Sequence, residues 1–501
     1  MYLLGIDIGT SSCKAVLFRY DGSEAASVTE DYKVYYPSAD SAEQDPNEWY
    51  AAVCKAVRKI IDGDSKNKKI DARDIAGIGI DGQSWSCILT DRDGNALAKT
   101  PIWFDRRSQD ECDFLEKEIG SDNIFNFCGN PVQPTYTTPK ALWFKRNAPD
   151  LYNKTYKILQ SNSYIVCKFT REFTQDKSQG YGHFFYDIKK GTYDITTAIS
   201  MGLDPNMYPD IRDCHEIVGK ITAQASRETG LIEGTPVVAG GLDAAAGTLG
   251  AGVYDVGQTQ EMSGTSGGMS ICMPEVKSHK SLILCSHVVK GKYLLQGGTS
   301  GGGGSMKWFA EEFGGAFMND ASKNVFAEID EEAEKSPVGS KGVIFLPYMA
   351  GERSPIWDSN AKGVFFGMSY DTKKGEIARS VMEGAAFSLR HCLDTAKSVG
   401  ADSDMLYPSG GASKSGIWMQ IKADVTDKTF AVPHTPSATS LGAAMLAGIG
   451  VGVYSDFEDA AKKCVKITKE YTPNAENKDT YDKLYKKYLA IYDNTKELMR
   501  Q

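Results

Sequence analysis

Two Gly-Thr-Ser triplets, Gly9-Thr10-Ser11 and Gly264-Thr265-Ser266, stand about half a chain apart in a sequence of 501 residues. The first follows the apolar run Tyr2-Leu3-Leu4-Gly5-Ile6-Asp7 and leads into the strand-like Lys14-Ala15-Val16-Leu17-Phe18. A strand, a tight turn of small residues and a second strand can aim several backbone N–H groups at one point, where an anion fits. One such turn is a weak signal. Two of them, each early in its own half, point to a phosphate chain clamped between two related domains. A chain of this length also exceeds what one hydrophobic core supports, so two domains are expected, meeting near residue 247.

Composition excludes several classes. The net charge of −9 argues against a nucleic-acid-binding surface. The amino terminus lacks a basic stretch and carries Asp7 inside its first apolar run, so it does not read as a secretory signal. The uncharged stretch Ser437 to Ser455 is rich in Gly, Ser and Thr. It is expected to be a buried helix and turn, since a membrane helix needs about 20 predominantly apolar residues. Eleven scattered cysteines without a Cys-x-x-Cys pair read as free thiols of a reducing cytoplasm.

The chain alternates strand and helix signals. Strands are expected at 2–7, 14–20 and 25–34, with Asp21-Gly22 as a hairpin turn. A helix from Pro46 to Ile61 and strands at 75–80 and 87–89 follow. Val237-Val238-Ala239 reads as a strand, and Gly240-Gly241-Leu242-Asp243 opens a helix of small residues. The second half restarts with hairpin signals at 258–274 and 283–296. Helices are then expected at 376–397, 416–427 and 440–446, and Tyr481, Leu484, Tyr485, Tyr488 and Tyr492 mark a last amphipathic helix. Mixed sheets flanked by helices, built twice, make an α/β architecture.

Several motif matches compete. Gly77-Ile-Gly79-Ile-Asp-Gly82 fits the dinucleotide fingerprint, but that motif needs a helix starting inside the glycines, and Gln83 to Leu89 looks extended. Gly264-Thr-Ser266-Gly-Gly268 and Gly298-Thr-Ser300-Gly-Gly302 both fit the G-x-S-x-G elbow of serine hydrolases, which needs a strand-to-helix turn. Ser266 instead leads into a strand-like stretch, while His287, His391 and His434 keep the hydrolase alternative open. No G-x-x-x-x-G-K-[ST] motif, His-Glu-x-x-His or zinc-spaced cluster occurs. What remains is a set of glycine-rich constellations: the two triplets, the run Gly297 to Gly304, and Ser409-Gly410-Gly411-Ala412. Together with Asp7 and Asp243 at strand ends, they favour a nucleotide site.

In this order and spacing the chain resembles the FGGY carbohydrate kinases, within the actin/hexokinase/Hsp70-like group. The carriers are Asp7-Ile8-Gly9-Thr10-Ser11-Ser12-Cys13-Lys14, Gly129-Asn130, Pro139-Lys140-Ala141-Leu142-Trp143, Ala239 to Ala245, Ser263 to Ser266, Gly351-Glu352-Arg353-Ser354-Pro355, Glu383 to Phe387, Gly410-Gly411-Ala412 and Leu441 to Ala444. Gly363-Val364-Phe365-Phe366-Gly367 is most similar to the xylulokinases of that family. The resemblance implies two ribonuclease-H-like domains around a cleft, with sugar bound by residues 1–246 and nucleotide by 247–501. It implies transfer of the γ-phosphoryl group of ATP to a hydroxyl of a small carbohydrate, D-xylulose first, with another ketose, a polyol or an aldonate as alternatives.

By the same resemblance Asp243 is the catalytic base, although an aspartate there also suits a helix cap before Ala244-Ala245-Ala246. Asp7 organises Mg²⁺, usually through water. ATP falls to Asp7, Thr10, Ser11, Lys14, Gly264, Thr265, Gly303, Gly410, Gly411 and Ala412. The sugar falls to Gln83, Ser84, Trp85, Asp105, Tyr136 and Asp243, with Arg107 and Asp176 near the cleft in unassigned roles. A cytoplasmic enzyme is expected, without nucleic-acid or membrane partners and forming a homodimer as relatives frequently do. The chain departs from its family at Ser84-Trp85, where many xylulokinases carry Met-His, and at Ala244, where an amide residue is common.

Overall fold

The computed structural model describes residues 1–63, 67–318, 324–434 and 437–500. Its amino-terminal half is built on a seven-stranded sheet. β1 (Tyr2–Ile8), β2 (Ser12–Phe18) and β3 (Glu24–Asp31) form an antiparallel meander, α1 (Pro46–Asp62) follows, and β4 (Ile75–Gly82) returns parallel to β1. β5 (Ile217–Lys220), β6 (Pro236–Val238) and β7 (Gly241–Leu242) complete the order β5-β6-β4-β1-β2-β3, with β7 also on β4. α2 (Asp243–Gly250) then leads into the second half.

That half repeats the plan. β8 (Gln258–Ser263), β9 (Gly267–Met273), β10 (Ile283–Ser286) and β11 (Tyr293–Thr299) precede α3 (Gly303–Phe313) and α4 (Lys374–Ser398). β12 (Met405–Ser409), α5 (Gly416–Thr426), β13 (Thr429–Pro433), α6 (Ala438–Gly450), β14 (Ile467–Tyr471) and α7 (Lys478–Met499) end the chain. The strand order is β10-β11-β9-β8-β12-β13-β14. In both sheets the central strands follow one pattern, three antiparallel and then two parallel: β3-β2-β1-β4-β6 and β11-β9-β8-β12-β13. This is the ribonuclease-H-like topology, and the expected fold class is present twice.

Local chemistry explains these elements. Asp45 caps α1 by accepting a hydrogen bond from the Asn47 backbone, and Pro46 occupies the first turn, where its missing N–H is not needed. Trp49, Val53, Ala56, Val57 and Ile60 bury one face of that helix against β2 and β3. Leu3, Leu4, Ile6 and Ile8 of β1 are all fully buried, as a strand covered on both faces requires.

The cover on β1 and β4 comes from the far half of the sequence. α6 lies across both strands and crosses α2. Small residues set this approach: a Cβ on Gly79 would collide with the Ala443 carbonyl, and one on Gly442 with the Ala246 carbonyl. The glycines of Gly77 to Gly82 therefore make room for a helix packed on the strand; β4 runs straight through them, and no dinucleotide turn forms.

Two long excursions leave this double framework. Residues 83–216 separate β4 from β5 and contain helices Gln109–Glu118, Ser121–Cys128, Thr137–Asn147, Pro149–Lys154 and Ser161–Thr170. Residues 300–373 separate β11 from α4. In the first of these regions the sequence pattern signals only a strand at 87–89. Among the described residues the cysteines are free thiols, and no helix is long and apolar enough to cross a membrane.

Candidate active site

Three carboxylates meet at one edge of the amino-terminal sheet. β1 and β4 run in register, pairing Asp7 with Asp81, and Gly241 of β7 pairs with Asp81 from the other side. Asp243, the first residue of α2, leaves the sheet at that same edge. Burial raises all three carboxyls. Asp243 is pushed up to about 7, first by burial and then by the charge of Asp7. Asp7 is raised by burial against the opposing pull of Asp81 and Lys14, its cross-strand partner on β2. Asp81 is held well above the usual carboxylate range, through burial and then repulsion from Asp7 and Asp243. Asp81 is fully buried, and no donor among the described residues reaches either of its oxygens. The Asp7–Asp81 contact becomes a hydrogen bond only when one of the two carries a proton.

No sequence motif singles out Asp81. Its one available signal is a carboxylate directly after the apolar run Ile75 to Ile80, which the glycine pattern around it obscures.

A hydrogen-bond chain holds the start of α2. The Leu242 N–H donates to the Ser178 hydroxyl at 2.8 Å, and that hydroxyl donates to Asp176 Oδ1 at 2.5 Å. Asp176 also accepts from Asn162 Nδ2, Gln175 Nε2 and the Gln179 N–H, each at 2.9 Å. Asp176 is thus a buried anchor one step behind Asp243. Leu242 occupies the cap position, while the Asp243 carboxylate accepts from the Ala244 N–H at 2.6 Å, inside the positive end of the helix dipole.

Both Gly-Thr-Ser triplets are hairpin turns at equivalent places, between β1 and β2 and between β8 and β9. In the first, the Gly9 N–H donates to the Ser12 carbonyl at 3.1 Å. Thr10 is held from both sides: its carbonyl accepts from Gln44 Nε2 at 2.7 Å and its hydroxyl from Trp103 Nε1 at 2.9 Å. The Tyr32 hydroxyl donates to the Gly9 and Ser12 carbonyls.

In the second half, three glycine constellations become one patch. The Gly303 and Gly304 N–H groups donate to the Gly264 and Thr265 carbonyls at 2.7 and 2.8 Å. Gly410, at φ +94°, brings Gly411-Ala412 against the same turn, where a Cβ would lie 2.6 Å from the Ser263 carbonyl. Gly264, Thr265 and Ser266 stay exposed. One bond joins this half to the first triplet's hairpin: Lys14 Nζ donates to the Ser437 hydroxyl at 2.5 Å, just before α6.

A cleft of about 700 Å³ is lined by Ala244, the residue after Asp243. Ser84, Trp85, Trp103, Tyr181 and Ala244 of the first half line it, together with Gln296, Ala350, Arg353 and Trp357 of the second. Ser84 and Trp85 border it. Gln83 lies beneath, its Nε2 donating to Gln44 Oε1 at 2.8 Å. Two expected sugar contacts are turned away from the cleft. Asp105 is fully buried and spends its oxygens on the Ala42 N–H at 2.7 Å and on the Arg107 guanidinium at 2.7 to 3.0 Å. Tyr136 is only 1% exposed and stacks behind Trp85, ring centres 4.3 Å apart. Both support the wall without reaching the cavity.

The hydrolase alternative loses its geometry. Ser266 sits in a strand-to-strand hairpin, and Ser300, which does precede a helix, has its N–H on Glu352. Among the described residues no histidine hydrogen-bonds to either serine; His287 Nε2 is taken by the Val253 carbonyl at 3.0 Å.

Comparison with known proteins agrees with this arrangement. Residues 2–250 match the N-terminal domain, and residues 262–451 the C-terminal domain, of the FGGY family of carbohydrate kinases. Xylulose kinase of Staphylococcus epidermidis is 31% identical over 99% of this chain and 97% of its own length. The crystal structure of xylulose kinase from Rhodospirillum rubrum superposes with a TM-score of 0.88 at 27% identity, covering 100% of both chains. Gluconate kinase from Lactobacillus acidophilus gives a TM-score of 0.87 at 26% identity, over 99% of this chain and 98% of its own. The chain belongs to the FGGY family of carbohydrate kinases.

Proposed function

We propose that this kinase transfers the γ-phosphoryl group of ATP to D-xylulose, giving D-xylulose 5-phosphate, with Asp243 as the base. The observation that carries the reading is the position of Asp243: a carboxylate poised near neutral pH, next to cleft-lining Ala244 and at the sheet edge shared with the first Gly-Thr-Ser turn. In this reading residues 1–246 supply most of the sugar wall and 247–501 the nucleotide side. Thr10, Ser11 and Lys14 face the phosphate chain from one half. Gly264, Thr265, Gly303 and Gly410-Gly411-Ala412 face it from the other.

The chemistry follows from these placements. Phosphoryl transfer asks little covalent work of a protein, so positioning and charge neutralisation carry most of the acceleration. The acceptor hydroxyl is a poor nucleophile. A carboxylate within hydrogen-bond reach takes its proton as the new P–O bond forms, typically worth about 10²–10⁴ in rate. Asp176 and Ser178 fix where that carboxylate stands by tethering Leu242. Closure of the two halves excludes water, which would otherwise accept the phosphoryl group.

The residues fit Mg²⁺. Asp7 and the two unpartnered oxygens of Asp81 are hard donors, suited to an ion that takes one or two carboxylates and completes its shell with water and phosphate oxygens. Among the described residues no group of three or more His, Cys, Asp or Glu side chains could hold a metal ion, so the protein offers no closed cage. When bound, the ion would offset charge on the phosphates.

Two of the three relatives described above are named xylulose kinase, which supports D-xylulose as the acceptor, while Ser84-Trp85 in place of Met-His changes the hydrogen bonds offered to it. Among the described residues Trp85 Nε1 is buried without a partner, and a sugar hydroxyl would satisfy it. ADP release measured over ketoses, polyols and aldonates tests the assignment. We expect turnover of D-xylulose with selectivity looser than in Met-His relatives. Fastest turnover of an aldonate would replace the substrate, and no ATP-dependent turnover of any of them would end the reading.

A further inference from the structure

Among the described residues Arg353 makes no ion pair, and the adjacent Glu352 carboxylate acts on its guanidinium through charge alone. That guanidinium packs against Gly298, where a Cβ would lie 3.0 Å from its central carbon, and it lines the same cleft as Ser84 and Ala244. Among the described residues its one side-chain hydrogen bond runs from Nη2 to the Thr299 carbonyl, at 3.2 Å. The adjacent Glu352 carboxylate is committed elsewhere. It accepts from the Ser300 and Arg353 backbone N–H groups at 2.6 and 2.8 Å and from the Ser388 hydroxyl at 3.2 Å. Burial pulls the guanidinium below its ordinary value, as an undercompensated charge requires. A guanidinium has five donors in a rigid fork that matches phosphate and carboxylate oxygens. Most of that fork is unspent.

Its place narrows the choice of anion. Thr299 pairs in register with Gly267, the residue directly after the Gly264-Thr265-Ser266 turn. Arg353 therefore stands where the sugar cleft meets the phosphate-facing turn. We propose that Arg353 is a further catalytic residue, which grips the phosphoryl group in flight and then holds the product's phosphate. The inference rests on the kinase reading of the cleft. In the step, the sugar O–H gives its proton to Asp243 while its oxygen bonds to the γ-phosphorus. The P–O bond to ADP breaks and its electron pair leaves with ADP. Charge spread over the three remaining phosphoryl oxygens is then met by the guanidinium.

A sugar carboxylate would offer the same oxyanion chemistry, so the test separates the two sources. Wild type, Arg353→Gln and Arg353→Lys are titrated with D-xylulose, D-gluconate, and inorganic phosphate in the presence of ADP. The readout is fluorescence of the cleft tryptophans Trp85, Trp103 and Trp357. We expect Arg353→Gln to weaken phosphate binding about tenfold or more, in line with loss of a charged hydrogen bond. It should lower kcat about 10²–10³-fold, as for loss of one oxyanion donor, and leave D-xylulose binding within about twofold. Arg353→Lys should recover part of both losses. Unchanged phosphate affinity would overturn the proposal, and so would selective loss of D-gluconate binding. Equal weakening of all three ligands would mark Arg353 as structural. If wild type fails to bind D-xylulose, the sugar assignment falls, but the phosphate titration still decides Arg353.

Discussion

Lys14 and Ser437 touch across 423 positions of sequence, Nζ to Oγ at 2.5 Å. The contact links the hairpin of the first phosphate-facing turn to the start of α6, the helix that the second half lays on the first half's sheet. Lys14 also faces Asp7 across β1 and β2. Its charge thus sits beside the carboxylate cluster and between the two halves.

Replacing Lys14 with Met removes that charge and keeps the length. The expected result is an ATP KM raised on the order of tenfold with sugar KM unchanged, since a hydrogen bond to a charged group is worth roughly 1.5–3 kcal/mol. Steady-state kinetics with each substrate varied in turn checks it. An unchanged ATP KM would make Lys14 a structural tie alone.

The raised carboxyl of Asp243 sets an acid limb. A base works as the carboxylate, so kcat/KM should fall tenfold per pH unit below the Asp243 value of about 7 in the free enzyme, and level off above it. A pH–rate profile flat from 5 to 8 would remove Asp243 from the proton transfer.

Gly79→Ala puts a methyl into the Ala443 carbonyl, and a backbone oxygen cannot swing aside. The expected loss is about 1–3 kcal/mol of stability from overpacking, read as a lower midpoint in urea. Activity should fall with it, because Asp81 lies two residues further along the same strand. Wild-type stability would show that α6 sits less tightly than described.

Trp85→Leu takes away the stacked ring beside Tyr136 and the indole N–H. Sugar KM should rise about fivefold, from a hydrogen bond worth roughly 1 kcal/mol, while loss of the stack lowers stability. ATP KM should not move. A rise in both would place the effect in the wall's folding rather than in sugar contact.

How much of this is legible beforehand depends on how local the signal is. The meanders of both halves are readable because apolar runs broken by Asp21-Gly22 or Gly-Thr-Ser turns are short-range patterns. Asp243 is readable for the same reason, as an acid at the join of a strand and a small-residue helix. Residues 83–216 are not. The helix Thr137–Asn147 buries Thr137, Thr138 and Lys140, and Lys140 Nζ is satisfied by the Trp85 and Ile102 carbonyls at 2.9 and 2.7 Å. Polar residues buried by such distant partners leave no periodic trace. Asp105 misleads for a related reason: its partners Ala42 and Arg107 are settled by the fold, and they turn an acid beside a tryptophan into a strut. The unspent donors of Arg353 can be seen only once Glu352 is known to point elsewhere.

The most direct test is a paired measurement on Asp243→Asn, which keeps size and polarity and removes the base. ADP release with D-xylulose should drop about 10²–10⁴-fold, while the ATP dissociation constant, measured calorimetrically on the same preparation, stays within about twofold. Turnover near the wild-type rate with ATP still bound would contradict the assignment of Asp243 as the base.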